Sequence, residues 1–269
     1  MIKVNSRKII MLVCFFLPWA WIFAFAYDTH TLAEACYLNA LQDMESWVFM
    51  ASTGLFLFVL ISEDMQSLIN TNTDLTTAYE QTIQGWVNVL DLRHQETKNH
   101  TLRVTEMTVE LAKLAGFTDQ DELDRIKRGA ILHDIGKVGI PDAILTKPGA
   151  LNDEEFARMK LHPEIAYEIL SGIDFLSSCT DIPYCHHERW NGSGYPRGLK
   201  GKEIPRAARL FAIIDVWDAL SSQRAYKAAW PEEKVLHYLA QQAGGHFDPE
   251  FVDLFLQNYK QLKERAHIA

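Results

Sequence analysis

The chain has 269 residues with 48% hydrophobic and 23% charged side chains, enough for one domain of roughly 150–200 residues and an additional segment. Its formal net charge of −9 argues against binding to long nucleic acids, which needs a lysine- and arginine-rich surface, but permits a small anionic substrate. The four cysteines form no Cys-x-x-Cys pair, which argues against both a disulfide framework and a thiolate zinc site.

Residues 1–62 are predicted to form a membrane anchor of two helices. The uncharged stretch 9–27 is long enough to cross a hydrocarbon core of ~30 Å. The second apolar stretch, 47–62, reaches about 24 Å as a helix and is a shorter span. Ala24-Phe-Ala26 also resembles a signal-peptide cleavage site, so a cleaved first segment remains the alternative.

Charge sets the expected orientation of this anchor. Lys3, Arg7 and Lys8 precede the first span, whereas residues 28–46 carry acidic side chains and no lysine or arginine. Because basic residues stay on the cytoplasmic side, the sequence predicts a short external loop at 28–46 and a cytoplasmic body. The expected location is the bacterial inner membrane, with or without cleavage.

Residues 63–80 are predicted to be a helical linker. Apolar side chains recur there and beyond at helical intervals: Leu68, Leu75, Tyr79, Ile83, Trp86 and Leu90. The polar run 70–74 is poor helix material and predicts a joint. Two interpretations stay open for this stripe: a signalling or dimerising stalk, the latter joining a homodimer, or the first helix of the body, burying its apolar side over residues 75–92.

The body, residues 81–262, is predicted to be all-α. Apolar positions recur at helical spacing in five stretches and glycine- and proline-containing loops separate them; the stretches are Val104–Leu114, Leu123–Leu132, Glu154–Leu170, Ala207–Leu220 and Pro231–Ala243. We therefore expect a compact helical bundle.

Histidines and carboxylates that could hold metal ions occur on several of these helices. They are Glu96, His100, His133, Asp134, His162, His186, His187 and Asp215. Glu96 and His100 are four residues apart, so on a helix they share one face. An imidazole and a carboxylate on adjacent residues, as in His133-Asp134, can bind one ion while the second carboxylate oxygen reaches another. Asp215 lies in an apolar helix, where burial without a cation would cost several kcal/mol.

These motifs closely resemble those of the HD-GYP domain, a branch of the HD phosphohydrolase superfamily, over residues 81–258. The matching segments are Glu96-Thr-Lys-Asn-His100, His133-Asp-Ile-Gly-Lys137, His162-Pro, His186-His-Glu-Arg-Trp-Asn-Gly-Ser-Gly-Tyr-Pro196, Asp215-Val-Trp-Asp-Ala-Leu220, Arg224-x-x-Lys227 and Gly245-His-Phe-Asp-Pro-Glu250. The resemblance implies an HD-type bundle and a metal-dependent phosphodiesterase that hydrolyses cyclic di-GMP, a bacterial second messenger, to pGpG or GMP.

The resemblance also implies roles for individual residues. All eight candidates above would be metal ligands, with Asp134 bridging two ions and Glu96 accompanying a third. From its charge and its position one turn past the His-Asp pair, Lys137 is expected at the phosphate or leaving alkoxide beside Asp134. Arg224, Lys227 and Tyr195 are expected to contact substrate. Nitrogen and oxygen ligands suit iron, manganese or zinc, and the resemblance favours iron.

Departures from the family pattern are few: Asn191 replaces an aspartate, and Gln223 and Ala225 replace an aspartate and a proline. They bear on loop geometry and substrate fit. Two other functions stay open: hydrolysis of another cyclic nucleotide or dinucleotide, and a cyclic-dinucleotide-binding adaptor that signals through the Gly-Tyr-Pro loop to a protein such as a diguanylate cyclase.

Overall fold

The computed structural model describes residues 35–94, 100–223 and 228–266. Within these ranges the chain forms α-helices, two short 3-10 helices and two isolated β-bridges, which confirms the prediction of a mainly helical protein. The α-helices are α1 (Ala35–His94), α2 (His100–Leu114), α3 (Gln120–Ile131), α4 (Asp142–Leu145), α5 (Asp153–Met159), α6 (His162–Ser171), α7 (Asp174–Ser177), α8 (Asp181–Cys185), α9 (Arg206–Ser221), α10 (Glu232–Gln241) and α11 (Pro249–Arg265); the 3-10 helices are Ile135–Gly139 and Gly201–Glu203.

Helix α1 is 60 residues long and contains a segment, Ser46–Leu90, that is long and apolar enough to cross a membrane by length and composition. The first predicted span, 9–27, lies outside the described residues. The predicted loop at 28–46 is helical from Ala35 onward rather than irregular, and its external location stays a prediction. Alanine, leucine, glutamine and methionine in this part of the chain are strong helix formers, which explains the difference.

The predicted break in the helix at residues 70–74 is wrong, since α1 continues through this segment. The threonine side chains bond to their own helix: the Thr71 hydroxyl donates to the Ser67 carbonyl at 2.8 Å, and the Thr73 hydroxyl to the Ile69 carbonyl at 2.9 Å. Because these hydroxyls bond to carbonyls of the same helix, they do not draw the backbone into a non-helical conformation, which was the reason for predicting a break.

The chain divides into two compact units, Met1–Ala78 and Tyr79–Ala269. In the second unit, Ile83 and Val87 of α1 are buried in one apolar cluster with Leu132 and Ile135. The body-helix interpretation therefore holds for this face of α1. Trp86, in contrast, is 42% exposed.

Arg93, near the end of α1, bonds the segment in which the first 3-10 helix ends and α4 begins. Its Nε donates to Asp142 Oδ1 at 2.6 Å, Nη1 to the Val138 carbonyl at 2.9 Å and Nη2 to the Ile140 carbonyl at 2.7 Å. One guanidinium thus satisfies two backbone acceptors and a carboxylate, which attaches α1 to residues 138–142.

The core of the second unit forms around α9. Leu210, Phe211 and Ile213 have no exposed surface and pack with Met107 of α2 and Phe255 of α11. Burying a side chain of this size contributes roughly 1.5–3 kcal/mol. Several such side chains hold α9 firmly in the core, and this fixes the positions of its polar residues.

The predicted single helix Glu154–Leu170 is two helices, α5 and α6, that break at Lys160 and Leu161. Pro163 lies in the first turn of α6. Proline has no N–H for a helical bond to the preceding turn and is tolerated only at a helix start. The break places His162 at the first position of α6.

Candidate metal centre

His133 and Asp134 lie in the turn between α3 and the first 3-10 helix, directly after the C-cap Leu132. A Cβ on Gly136 would lie 1.9 Å from the His162 carbonyl oxygen. Only glycine therefore allows α6 to approach this turn so closely. That approach brings His162 Nε2 to 3.4 Å from Asp134 Oδ1.

A first group of candidate metal-binding side chains consists of His100, His133 and Asp215, which come from α2, the His-Asp turn and α9. Their ligand atoms all lie within 4.8 Å of one another. His100 Nε2 is 3.8 Å from Asp215 Oδ1. Both imidazoles are buried and Asp215 is partly exposed. Two nitrogens and one oxygen at this separation can hold a divalent transition metal.

A second group consists of His162, His186 and His187, from α6 and the residues after α8. Their ligand atoms also lie within 4.8 Å of one another. His162 Nε2 is 3.4 Å from His186 Nε2, and the His187 ring centre is 4.0 Å from that of His186. Three imidazoles gathered so closely form a second place where an ion could be held.

Asp134 lies between the two groups and turns one oxygen towards each. Its Oδ2 is 3.1 Å from His133 Nε2, while Oδ1 is 3.4 Å from His162 Nε2 and 3.9 Å from His186 Nε2. Oδ2 also accepts a hydrogen bond from Lys137 Nζ at 2.5 Å. Each of the two groups is thus faced by one oxygen of the same carboxylate.

The hydrogen bonds of the imidazoles fit bound cations. Nδ1 of His133 is 2.9 Å from the Ala130 carbonyl, and Nδ1 of His162 is 2.8 Å from the Met159 carbonyl. His186 Nδ1 likewise faces a backbone carbonyl, at 3.0 Å. A carbonyl only accepts, so each neutral ring carries its proton on Nδ1 and its lone pair on Nε2.

Because His162 and His186 carry their protons on Nδ1, their Nε2 lone pairs face each other at 3.4 Å. This contact is unfavourable unless a cation or a proton lies between the two nitrogens. A bound divalent ion satisfies both. The donor set, its buried position and the fixed tautomers therefore fit a metal.

The electrostatics of the group favour neutral imidazoles and an ionised carboxylate. Burial lowers the pKa of His162, and it lowers those of His186 and His187 well below the usual histidine value, so all three stay unprotonated as ligands must be. Burial alone would raise the pKa of Asp134, but the charge of Lys137 and the contact with His133 hold it well below its usual range.

Asp218, to which the sequence reasoning assigned no role, orients His100. It is buried, and its Oδ2 is 2.6 Å from His100 Nδ1. Arg103 donates to both carboxylate oxygens, from Nε at 2.8 Å and Nη2 at 3.0 Å. Burial raises the pKa of Asp218, but the hydrogen bonds from His100 and Arg103 outweigh it and lower the pKa. A carboxylate that holds the remote nitrogen of a ligand histidine fixes its tautomer and increases its basicity.

Glu188, the residue after the two histidines, holds the Gly-Tyr-Pro loop. Its side chain is buried, Oε1 accepts from the Arg197 N–H at 2.8 Å and Oε2 from the Leu199 N–H at 3.0 Å. The loop places the Tyr195 ring centre 4.7 Å from that of His187. Burial raises the pKa of the Tyr195 hydroxyl. Tyr195 therefore covers one side of the second group.

The departure at Asn191 leaves the loop intact. Its side-chain oxygen accepts from the Ser193 N–H at 2.9 Å, a turn contact that an aspartate would make in the same way. Its backbone N–H donates to the Gly245 carbonyl at 3.0 Å, so the segment Gly245–Glu250 supports this loop.

Three predicted site residues, Glu96, Arg224 and Lys227, lie outside the described residues, and their roles remain predictions. The other predicted ligands come together in the two groups and at Asp134, although they are drawn from five separate parts of the chain.

The chain is similar to known proteins over the part that carries this geometry. The family model for the HD domain matches residues 69–251. The chain is 40% identical over 195 residues to 3′3′-cGAMP-specific phosphodiesterase 2 of Vibrio cholerae, and the match covers 72% of this chain and 37% of that protein. It is 39% identical over 201 residues to the cyclic di-GMP phosphodiesterase response regulator RpfG of Xanthomonas campestris, covering 74% and 53%.

A further relative is the cyclic di-GMP phosphodiesterase of Thermotoga maritima, 39% identical over 203 residues, with 73% of this chain and 55% of that protein covered. The matches thus span between about a third and just over a half of these relatives. A solved cyclic GMP-AMP-specific phosphodiesterase of V. cholerae is similar in fold, with a TM-score of 0.51 at 16% identity over 68% of this chain and 49% of that one.

Proposed function

Because this chain belongs to the HD-domain family, we propose that it is a metal-dependent phosphodiesterase that hydrolyses cyclic di-GMP to pGpG and, in a second cleavage, to GMP. The observation that carries the proposal is the position of Asp134 between two groups of metal-binding side chains. The names of the relatives at 39% identity support the same substrate class.

When bound, divalent ions in such a centre lower the pKa of water and withdraw charge from phosphate oxygens. The residues of the chain would do the rest. The neutral imidazoles present fixed Nε2 lone pairs, and Asp134 keeps its negative charge between the groups. Lys137 Nζ lies 2.5 Å from Asp134, where we propose that it contacts the phosphate or protonates the departing alkoxide.

We propose that Arg224 and Lys227 bind a second phosphate and that Tyr195 limits the site beside His187. Glu96 is proposed to accompany a third ion that favours cleavage through to GMP. The nitrogen and oxygen donors of the two described groups suit iron, manganese or zinc alike and include no thiolate; iron is the proposed metal because the family resemblance favours it.

The test is turnover of cyclic di-GMP by protein purified without oxygen and supplied with Fe²⁺ or Mn²⁺, followed by separation of pGpG and GMP. Asp134→Ala should abolish turnover and leave the helical content unchanged. Glu96→Ala should slow the second cleavage more than the first. Full activity of Asp134→Ala would contradict the bridging role, and metal-free protein that takes up no ion would contradict the enzyme itself.

A second substrate is favoured by one observation: the relative at 40% identity is named for 3′3′-cGAMP. The two substrates differ in one base, so kcat/KM for each, measured on the same preparation, decides between them. An adaptor that signals through the Gly-Tyr-Pro loop to a protein such as a diguanylate cyclase would bind a cyclic dinucleotide without turnover.

We further propose that residues 1–62 anchor the protein in the bacterial inner membrane by two spans, 9–27 and the 47–62 part of α1, which returns the catalytic unit to the cytoplasm. Support comes from the apolar composition of Ser46–Leu90, from exposed apolar side chains in its first part such as Trp47, Leu55 and Phe58, and from the charge asymmetry of the first 46 residues. A reporter fused at residue 90 should be active only in the cytoplasm, and periplasmic activity would reverse the orientation.

A homodimer through α1 is proposed from its exposed apolar positions below residue 78. Met65, Leu68 and Leu75 are 53%, 66% and 49% exposed, and with Asn72 they follow the spacing of a coiled-coil seam. A single asparagine in such a seam favours one register. Detergent-solubilised protein should have the mass of a dimer, and Leu68→Glu should convert it to a monomer.

A further inference from the structure

A group of two aromatic rings and one ammonium lies beside the second set of histidines. Lys160 Nζ is 4.6 Å from the ring centre of Phe156 and 5.5 Å from that of Tyr195. The Tyr195 ring is in turn 4.7 Å from the His187 ring. We call Phe156, Lys160 and Tyr195 the ring–ammonium group. Neither Phe156 nor Lys160 takes part in the function proposed above.

Phe156 contributes little to the fold. It is 46% exposed, and it lies on α5, none of whose residues is buried. The contact with Lys160 four residues later could be a simple helix-surface pair, which would stabilise α5 by a few tenths of a kilocalorie. That explanation accounts for Phe156 and Lys160 but not for the second ring, which is held from another part of the chain.

The second ring is fixed where it is by the loop that Glu188 holds from within the core. The backbone of Lys160 is the C-cap of α5 and lies two residues before His162. Phe156 is therefore joined, through Lys160, to two elements that carry metal-binding side chains. The exposed Phe156 ring is thus linked to His187 by three successive side-chain contacts.

The chemistry of the group matches a purine base. Flat aromatic rings stack on nucleobases, and a lysine donates to the O6 and N7 acceptors on the edge of guanine. A cyclic dinucleotide that places a phosphate at the histidines must place its bases outside them, at the rim. From these contacts we propose that Phe156 and Lys160 form a binding site for one purine base of the substrate, Phe156 by stacking and Lys160 by donating to the base edge.

This proposal rests on the proposed function for the identity of the substrate, so the experiment compares two phosphodiesters. Cyclic di-GMP carries purines, and bis(p-nitrophenyl) phosphate carries none. Phe156→Ala should raise the KM for cyclic di-GMP by about 5- to 100-fold and leave turnover of bis(p-nitrophenyl) phosphate unchanged. Phe156→Trp should restore the KM, and Lys160→Met should raise it with the same selectivity.

The matched control is Tyr167→Ala, which removes an aromatic ring of similar exposure, 42%, from α6. It should leave both activities unchanged. Equilibrium binding of cyclic di-GMP to metal-free protein by calorimetry gives a second readout that needs no turnover. There, Phe156→Ala should weaken binding by a similar factor.

The outcomes separate the two proposals. Turnover of cyclic di-GMP with the same KM in wild type and Phe156→Ala overturns the base site and leaves the enzyme proposal standing. Binding that depends on Phe156 without turnover of any cyclic dinucleotide overturns the enzyme proposal and supports the base site. Equal losses on both diesters, or equal binding of cyclic di-GMP by wild type and Phe156→Ala, would show that Phe156 has no role in base recognition.

Discussion

Replacement of Asp218 by asparagine tests how strongly the buried carboxylate supports the first metal-binding group. The side chain keeps its size and loses its charge. In the wild type, both oxygens accept from Arg103, and Oδ2 also faces His100 Nδ1 at 2.6 Å. An amide has only one acceptor oxygen, so its NH₂ group must face a donor of either Arg103 or His100.

The expected size of the effect follows from these contacts. Loss of a partner that orients a ligand histidine typically weakens metal binding 10- to 100-fold, or about 1.4–2.7 kcal/mol. The partly buried Arg103 also loses the charge of its partner, which by itself destabilises the fold. A measurement of activity alone would therefore confuse two effects.

A second buried ion pair in the same unit supplies the control. Asp248 is 3% exposed and pairs with Arg209, and its other carboxylate oxygen accepts from the Glu250 N–H rather than from a metal-binding side chain. Asp248→Asn should lower the melting temperature without a change in metal affinity, measured by calorimetric titration of metal-free protein with Mn²⁺. Asp218→Asn should lower both. Unchanged metal affinity in Asp218→Asn would refute its orienting role.

Three further substitutions test other parts of the second unit. Glu188→Gln removes the charge that two loop N–H groups bond to, and should raise the KM for cyclic di-GMP several-fold while metal content stays unchanged. Gly136→Ala places a Cβ 1.9 Å from the His162 carbonyl and should destabilise the fold by at least about 3 kcal/mol in thermal unfolding. Burial lowers the pKa of His246 to about 4, so its contribution to stability is full above about pH 6.5 and is lost as the pH falls towards 4. His246→Gln should flatten that part of the stability profile, by at most about 3 kcal/mol.

Most of the site could be located from the sequence because its chemistry is local. His133-Asp134 and His186-His187 are visible as adjacent pairs, and Asp215 is conspicuous in an apolar helix. Helical periodicity predicted the right class of fold for the described residues. It did not detect the break before His162, since the apolar spacing of α5 and α6 is continuous and only Pro163 marks the change.

The supporting residues were not found because their partners are distant in sequence. Asp218 bonds Arg103, which is 115 residues away, and Glu188 is a single charge among several polar neighbours. A signal was present for Asp218: it lies about one turn after Asp215 on a mostly apolar helix, where a second carboxylate requires a partner. The threonines in residues 70–74 led to the opposite error: a break was predicted where α1 continues, because their hydroxyls bond back to carbonyls of the helix.

The attachment of α1 to the His-Asp turn decides where a fragment for biochemical work should begin. A fragment starting at His100 would keep every described metal-binding side chain but uncover Leu132 and Ile135, which pack with Ile83 and Val87. It would also lack Arg93, whose guanidinium donates to the Val138 and Ile140 carbonyls. Truncation before Tyr79 preserves these contacts, whereas a cut at the end of α1 should yield aggregating protein whose inactivity says nothing about its chemistry.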